Sequence, residues 1–203
     1  MRDNLIYTKS FAAPPVDRRE VLRYAGVRTA DPETEKILDD CISQIQDRLS
    51  YKVCYRIYDI EQGVGETSLG FTKSSSALLK KRLDGCEKIV LFCATVGVEM
   101  DRLIARASAM SSARAVLLQA LGSERVEALC DEFCASLGGE LGEKGLILTP
   151  RFSPGYGDLP LEMQRDVFAS LECSKRIGVS LSEDLFMTPT KSVTAIIGIK
   201  CKS

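Results

Sequence analysis

Apolar and polar positions recur with two different periods along this chain, and the switches between them mark out helices and strands. Ile37, Leu38, Cys41, Ile42, Ile45 and Leu49 recur at helical spacing and predict one amphipathic helix. Asp31 stands where a carboxylate caps the first turn, Pro32 suits the first helical position, and Glu33 and Glu35 favour the positive helix end. At Tyr51 the period drops to two. Tyr51, Val53, Tyr55 and Ile57 alternate with Lys52, Cys54, Arg56 and Tyr58, which predicts a strand with one buried face. Residues 88–94 are almost continuously apolar, as expected of a central strand covered on both faces.

The remaining segments follow the same logic. Residues 17–24 read as a short helix closed by Gly26. Gln62, Gly63, Val64 and Gly65 turn the chain into a short strand over 67–71, simplest as an antiparallel pair. Ser74, Ser75 and Ser76 open a helix through Leu83 that Asp84-Gly85 stops; capping accounts for the serines without invoking a phosphate cradle. Residues 95–101 join a strand to a helix, where Gly97 allows close backbone approach and Glu99 and Asp101 favour the positive helix end. The longest helical stretch covers 111–137, with a kink or break expected at Gly122-Ser123 and an end at Gly138-Gly139. A strand over 145–150, a helix over 161–175 opened by Pro160 and ended by Gly178, a short strand at Val179-Ser180-Leu181 and a closing strand over 192–200 complete the chain. In the last helix Met163, Val167, Phe168 and Leu171 face inward. The expectation is one α+β domain over residues 1–203, with helices around a largely antiparallel sheet.

Composition narrows the chemistry. A net charge of −1 lacks the electrostatic footprint of a nucleic-acid binder. No apolar run is long enough to span a membrane, and residues 1–7 lack the apolar core of a signal peptide, so the cytoplasm is expected. Histidine is absent, which excludes Ser-His-Asp and Cys-His catalysis, histidine-ligated metals and a histidine ligand to a corrinoid. The eight cysteines are expected to be reduced and mostly small core residues. Cys130 and Cys134 are spaced as the start of a cluster-binding motif, but Leu137 occupies the third ligand position.

One stretch carries a sharper signal. Arg151-Phe152-Ser153-Pro154-Gly155-Tyr156-Gly157-Asp158 follows the strand over 145–150, and its glycines and proline force a tight turn. An arginine fork suits a carboxylate, and a tyrosine adds a ring face and a hydroxyl. Arg151-x-x-x-Gly155-Tyr156 resembles the Arg-x-x-x-Gly-Tyr-Pro signature of the activation domain of cobalamin-dependent methionine synthase, with Gly157 where the family has proline. Met187-Thr188-Pro189-Thr190-Lys191-Ser192-Val193 is similar to that domain's Met-x-Pro-x-x-Ser-Val segment, at about the family's interval. The resemblance covers residues 150–198, within a motif-bearing part over 145–200, and thins toward the N-terminus.

That resemblance implies a stand-alone reactivation subunit, a component of a methyltransferase in methionine biosynthesis. It implies binding of S-adenosylmethionine and remethylation of a cobalamin held by a partner methionine synthase subunit, with an electron from a flavodoxin-type donor. Arg151 would fork onto the ligand carboxylate, Ser153 and Gly155 would contribute backbone polar groups and close approach, and Tyr156 would lie on the side facing the corrinoid. Asp101, Glu99 and Asp158 stand open as partners for the ligand ammonium. Nothing in the sequence matches the Asp-x-His-x-x-Gly corrinoid signature, so the cobalamin is expected from the partner. A different class of reading keeps the fold but makes the chain a non-catalytic docking module for a corrinoid protein. Gly157 motivates it, since glycine loosens the turn. An ordinary S-adenosylmethionine methyltransferase would need a glycine-rich loop after its first strand, a pattern the sequence lacks.

Overall fold

The computed structural model describes residues 5–202, so the reading of residues 1–7 as lacking a leader falls, over 1–4, outside the described residues. The chain opens with β1 (Tyr7–Ser10), a half-buried edge strand that the short polar pattern there did not predict. α1 (Arg18–Tyr24) is capped by Asp17, a residue that the sequence pattern places within the helix and that accepts from the N–H groups of Arg19 and Glu20; α2 (Pro32–Ile45) carries its expected cap, Asp31, which accepts from Thr34 N–H at 2.7 Å. α2 stops at Ile45, short of Leu49, which packs on the core from the following loop.

β2 (Lys52–Asp59) leads into three two-residue strands, β3 (Glu61–Gln62), β4 (Thr67–Ser68) and β5 (Lys73–Ser74), which form a small antiparallel sheet. The strand expected over 67–71 is cut at Gly70, whose backbone passes so close to Tyr58 that a Cβ would lie 2.9 Å from that side chain. α3 (Ala77–Arg82) is capped by Ser76, and Gly85 follows its end at φ 72°. β6 (Lys88–Thr95) is buried on both faces as expected, and α4 (Glu99–Ser108) follows.

α5 (Ser112–Gly142) runs unbroken through Gly122 and through Gly138-Gly139, contrary to the sequence expectation. The physical reason at Gly122 is crowding: a Cβ there would come 2.8 Å from Met100 and 2.9 Å from Lys191, so the glycine serves close packing instead of a kink. Beyond β7 (Leu146–Leu148), a 3₁₀ turn leads into α6 (Gln164–Leu171) and α7 (Cys173–Ile177). The single helix expected over 161–175 is therefore broken, at Glu172, which adopts φ 50°. The hairpin of β8 (Ser180–Leu181) and β9 (Met187–Thr188) precedes β10 (Ser192–Cys201).

The main sheet has the order β1-β2-β6-β10-β7 and is antiparallel throughout, as predicted. Its strands alternate between two cores. Val90, Phe92 and Ala94 of β6 join the core built with α1, α2, α4 and α5, where Phe133 meets the rings of Tyr55 and Phe92 at 5.2 and 5.0 Å. Ile89, Leu91 and Cys93 join the core on the other face, beneath α3, α6 and α7. β2 thus differs from the one-sided strand expected: Val53 and Tyr55 enter the first core, while Cys54 is buried in the second. Six of the eight cysteines are buried, and Cys54, Cys93 and Cys173 belong to this second core.

Candidate functional site

The turn after β7 is anchored to the sheet by one bridge. Phe152 N–H donates to Ile196 C=O at 2.9 Å and Ile196 N–H returns to Phe152 C=O at 2.8 Å, which extends the β7 edge along β10. Phe152 packs on the second core, so its neighbour Arg151 points to the opposite face and reaches α5. There Nη2 donates to Glu127 Oε2 at 3.0 Å and Asp131 Oδ1 at 2.8 Å, two carboxylates one helical turn apart. Nη1 is buried without a hydrogen-bond partner. Burial opposes the charge on Arg151, but Cys130, Glu127 and Asp131 nearby hold its pKa above the usual arginine value. Burial also pushes the thiols of Cys130 and Cys134 up, so neither is a ready metal ligand.

Arg151 lines a groove of about 560 Å³ between α1 and α5, together with Asp17, Glu20, Glu127, Asp131 and Glu132. Carboxylates outnumber cations there, so the groove favours a ligand with positive charge and one anionic group that meets Arg151. A buried ion pair sets its rim. Arg125 and Glu124, both almost fully buried, bond to each other through two guanidinium nitrogens. Arg125 also donates to the carbonyls of Pro14 and Pro15, and Glu124 accepts from Asp17 N–H at 3.1 Å. These bonds fix the segment before α1 against α5. Sequence reasoning passed over this pair and over Glu127 and Asp131; the only signal was acidic spacing along the outer stripe of α5.

The tip of the turn is closed on itself. Gly155 N–H donates to Leu159 C=O at 2.9 Å, Tyr156 N–H to Ser153 C=O at 3.2 Å, and Leu159 N–H to Tyr156 C=O at 3.1 Å. Gly155 takes φ 89° and Gly157 φ 59°, both in the region that favours glycine. At Gly157 a Cβ would stand 2.4 Å from Leu78 Cδ1, and proline's fixed negative φ is incompatible with that backbone. The departure from the family's proline is therefore built into the local packing. Tyr156 is 69% exposed. The groove lined by Arg151 does not include Ser153, Gly155 or Tyr156, because the tip packs toward Leu78 and Leu161 while Arg151 turns to α5.

The three acidic candidates from the sequence have structural work. Asp158 accepts from the Ser76 hydroxyl and from the N–H groups of Ala77 and Leu78 at the start of α3. Asp101 accepts from Thr190 N–H and hydroxyl, and Glu99 pairs with Arg102 on α4. The second motif is equally well tied: the Ser192 hydroxyl bonds Pro189 C=O at 2.7 Å and the Thr95 hydroxyl at 2.8 Å. Among the described residues, no group of three or more Cys, Asp or Glu side chains is placed to hold a metal ion, and no helix is long and apolar enough to cross a membrane.

The five-stranded antiparallel sheet with helices on both faces is the fold of a methionine synthase reactivation domain. The chain superposes on the crystal structure of the MetH reactivation domain bound to AdoHcy with a TM-score of 0.72 and 14% identity, over 98% of this chain and 79% of that one. No protein-family profile matches the sequence, and no curated protein matches it.

Proposed function

We propose that this chain binds S-adenosylmethionine and presents its methyl group to a cobalamin carried by a partner methionine synthase subunit in the cytoplasm, with a flavodoxin-type protein as electron donor. The observation that supports this most is the likeness, over nearly the whole chain, to a reactivation domain bound to AdoHcy, the demethylated form of that ligand. The groove fits an amino-acid sulfonium in charge. Arg151, the one cation among the named lining residues, offers its guanidinium to the ligand carboxylate. Glu127 and Asp131, beside it, oppose the ammonium and sulfonium charges. Ser153 and Gly155 shape the turn and hold Tyr156 outward, where its exposed ring meets the partner. The partner's cobalamin supplies the metal that accepts the methyl group. The residues of this chain bind, orient and dock, roles that need no histidine, acid or base.

A second reading, a docking module that does not take S-adenosylmethionine, draws on the same arginine: its Nη2 already serves two carboxylates. Titration calorimetry separates the two. Wild type is expected to bind S-adenosylmethionine, free cobalamin is expected not to bind, and Arg151→Ala is expected to abolish the heat while the circular dichroism spectrum stays unchanged. Silence in the wild type favours the docking module, and unchanged affinity in the variant removes Arg151 from the site.

A further inference from the structure

Lys191 lies within the second motif yet takes no part in the Arg151 groove. Its backbone is fixed: its carbonyl accepts from Val96 N–H at 3.2 Å, and Thr190 before it is held by Asp101. From there the side chain is laid across α5 at Gly122, where an added Cβ would come 2.9 Å from Cγ and 3.0 Å from Cε. A glycine in the middle of a long helix is unfavourable by itself, so the slot it opens is a specific accommodation of the lysine stem and of Met100. The stem ends with Nζ 3.0 Å from Ser123 Oγ. That hydroxyl in turn donates to Gln119 C=O at 3.1 Å, which leaves its lone pairs to the ammonium.

An ammonium carries three donors, and this one has a single hydrogen-bond partner among the described residues. Lys191 also forms no ion pair among them; Asp101, whose field reaches it, is already engaged by Thr190. Burial lowers its pKa despite the opposing field of Asp101, as for a cation that has lost more from water than its surroundings return. Lys191 lines a cavity of about 340 Å³ together with Tyr24, Gln119, Ala120 and Ser123. Partly desolvating a cation costs free energy that an anion in the cavity would recover.

We propose that Lys191, its ammonium held in place by the Ser123 hydroxyl, forms a subsite for the oxyanion of a small molecule, a carboxylate or a phosphate. Its neighbour across Tyr24 is the acidic groove, so the two cavities present opposite charge side by side. The subsite does not depend on the reading of the Arg151 groove, because it rests on different side chains.

The test follows the Lys191 Nζ resonance of lysine-labelled protein at low ionic strength, titrated separately with inorganic phosphate and with acetate. A saturable shift confined to one lysine, and absent in Lys191→Met, supports the subsite; the anion that causes it distinguishes phosphate from carboxylate. Methionine keeps an unbranched stem over Gly122, so the variant retains the packing. No saturation with either anion overturns the proposal, as does an equal response spread over many lysines. The wild-type titration alone decides this if the variant does not fold.

Discussion

Replacing Arg125 with methionine tests how the rim of the groove is held. The guanidinium is 1% exposed and bonds Glu124 and the carbonyls of Pro14 and Pro15. Methionine removes the charge and leaves Glu124, itself 4% exposed, as a buried carboxylate without its counter-ion. Breaking one side of such a pair costs about 3–5 kcal/mol. For a chain of this length each kcal/mol lowers the melting temperature by about 2–4 °C, so a fall of about 6–20 °C is expected. Removing both charges, as Glu124→Leu with Arg125→Met, discards the unpaired carboxylate and leaves only neutral backbone groups short of partners. Each such group costs about 1 kcal/mol, so the double variant should be more stable than the single one, with a total loss of about 1–3 kcal/mol. Urea and thermal denaturation of the two singles and the double give the coupling energy directly. A loss below about 1 kcal/mol for Arg125→Met, or a double variant worse than the single, would refute the view that the charges are sealed from water.

Two further expectations concern the turn. Gly157→Pro introduces the proline of the signature that the turn resembles but demands a negative φ where the backbone has +59°, so it should destabilise by about 3 kcal/mol in urea denaturation; wild-type stability would show that the turn re-forms. Asp158, whose pKa the Ser76 hydroxyl lowers most, with help from the N–H groups of Leu78 and Ala77, stabilises the folded chain fully above the ordinary aspartate pKa of about 4. That contribution is lost as the pH falls through the depressed value, so the urea midpoints of wild type and Asp158→Asn should converge below about pH 4, and a gap that stays constant across pH contradicts the capping role.

Local signals in the sequence located most elements because caps and periods are local physics. Asp17, Asp31, Ser76 and Ser111 all begin helices where their side chains can reach the first free N–H groups. The misreadings share a cause in tertiary contact. Gly122 and Gly138 resemble stop signals until the helix is packed, when Met100, Lys191 and Leu148 take up the space beside them. β1 is an edge strand defined only by its pairing with β2, and Cys54 faces a second core that a two-period pattern could not disclose. At the site, Arg151 was legible as a residue, but its carboxylate partners lie on α5, far back along the chain, and only the fold brings them together. Glu172 broke the helix without any glycine or proline to announce it.

The place of β10 in the sheet has a geometric consequence. Ser192 opens this strand and Ile196 holds the bridge to Phe152, so the two motifs hang from one rigid rail at a fixed spacing of about 13 Å. The helices and hairpin between them are thereby released from any duty as a ruler. They can lengthen or shrink without altering the gap, whereas one residue inserted into the rail would swing every later side chain to the wrong side of the sheet.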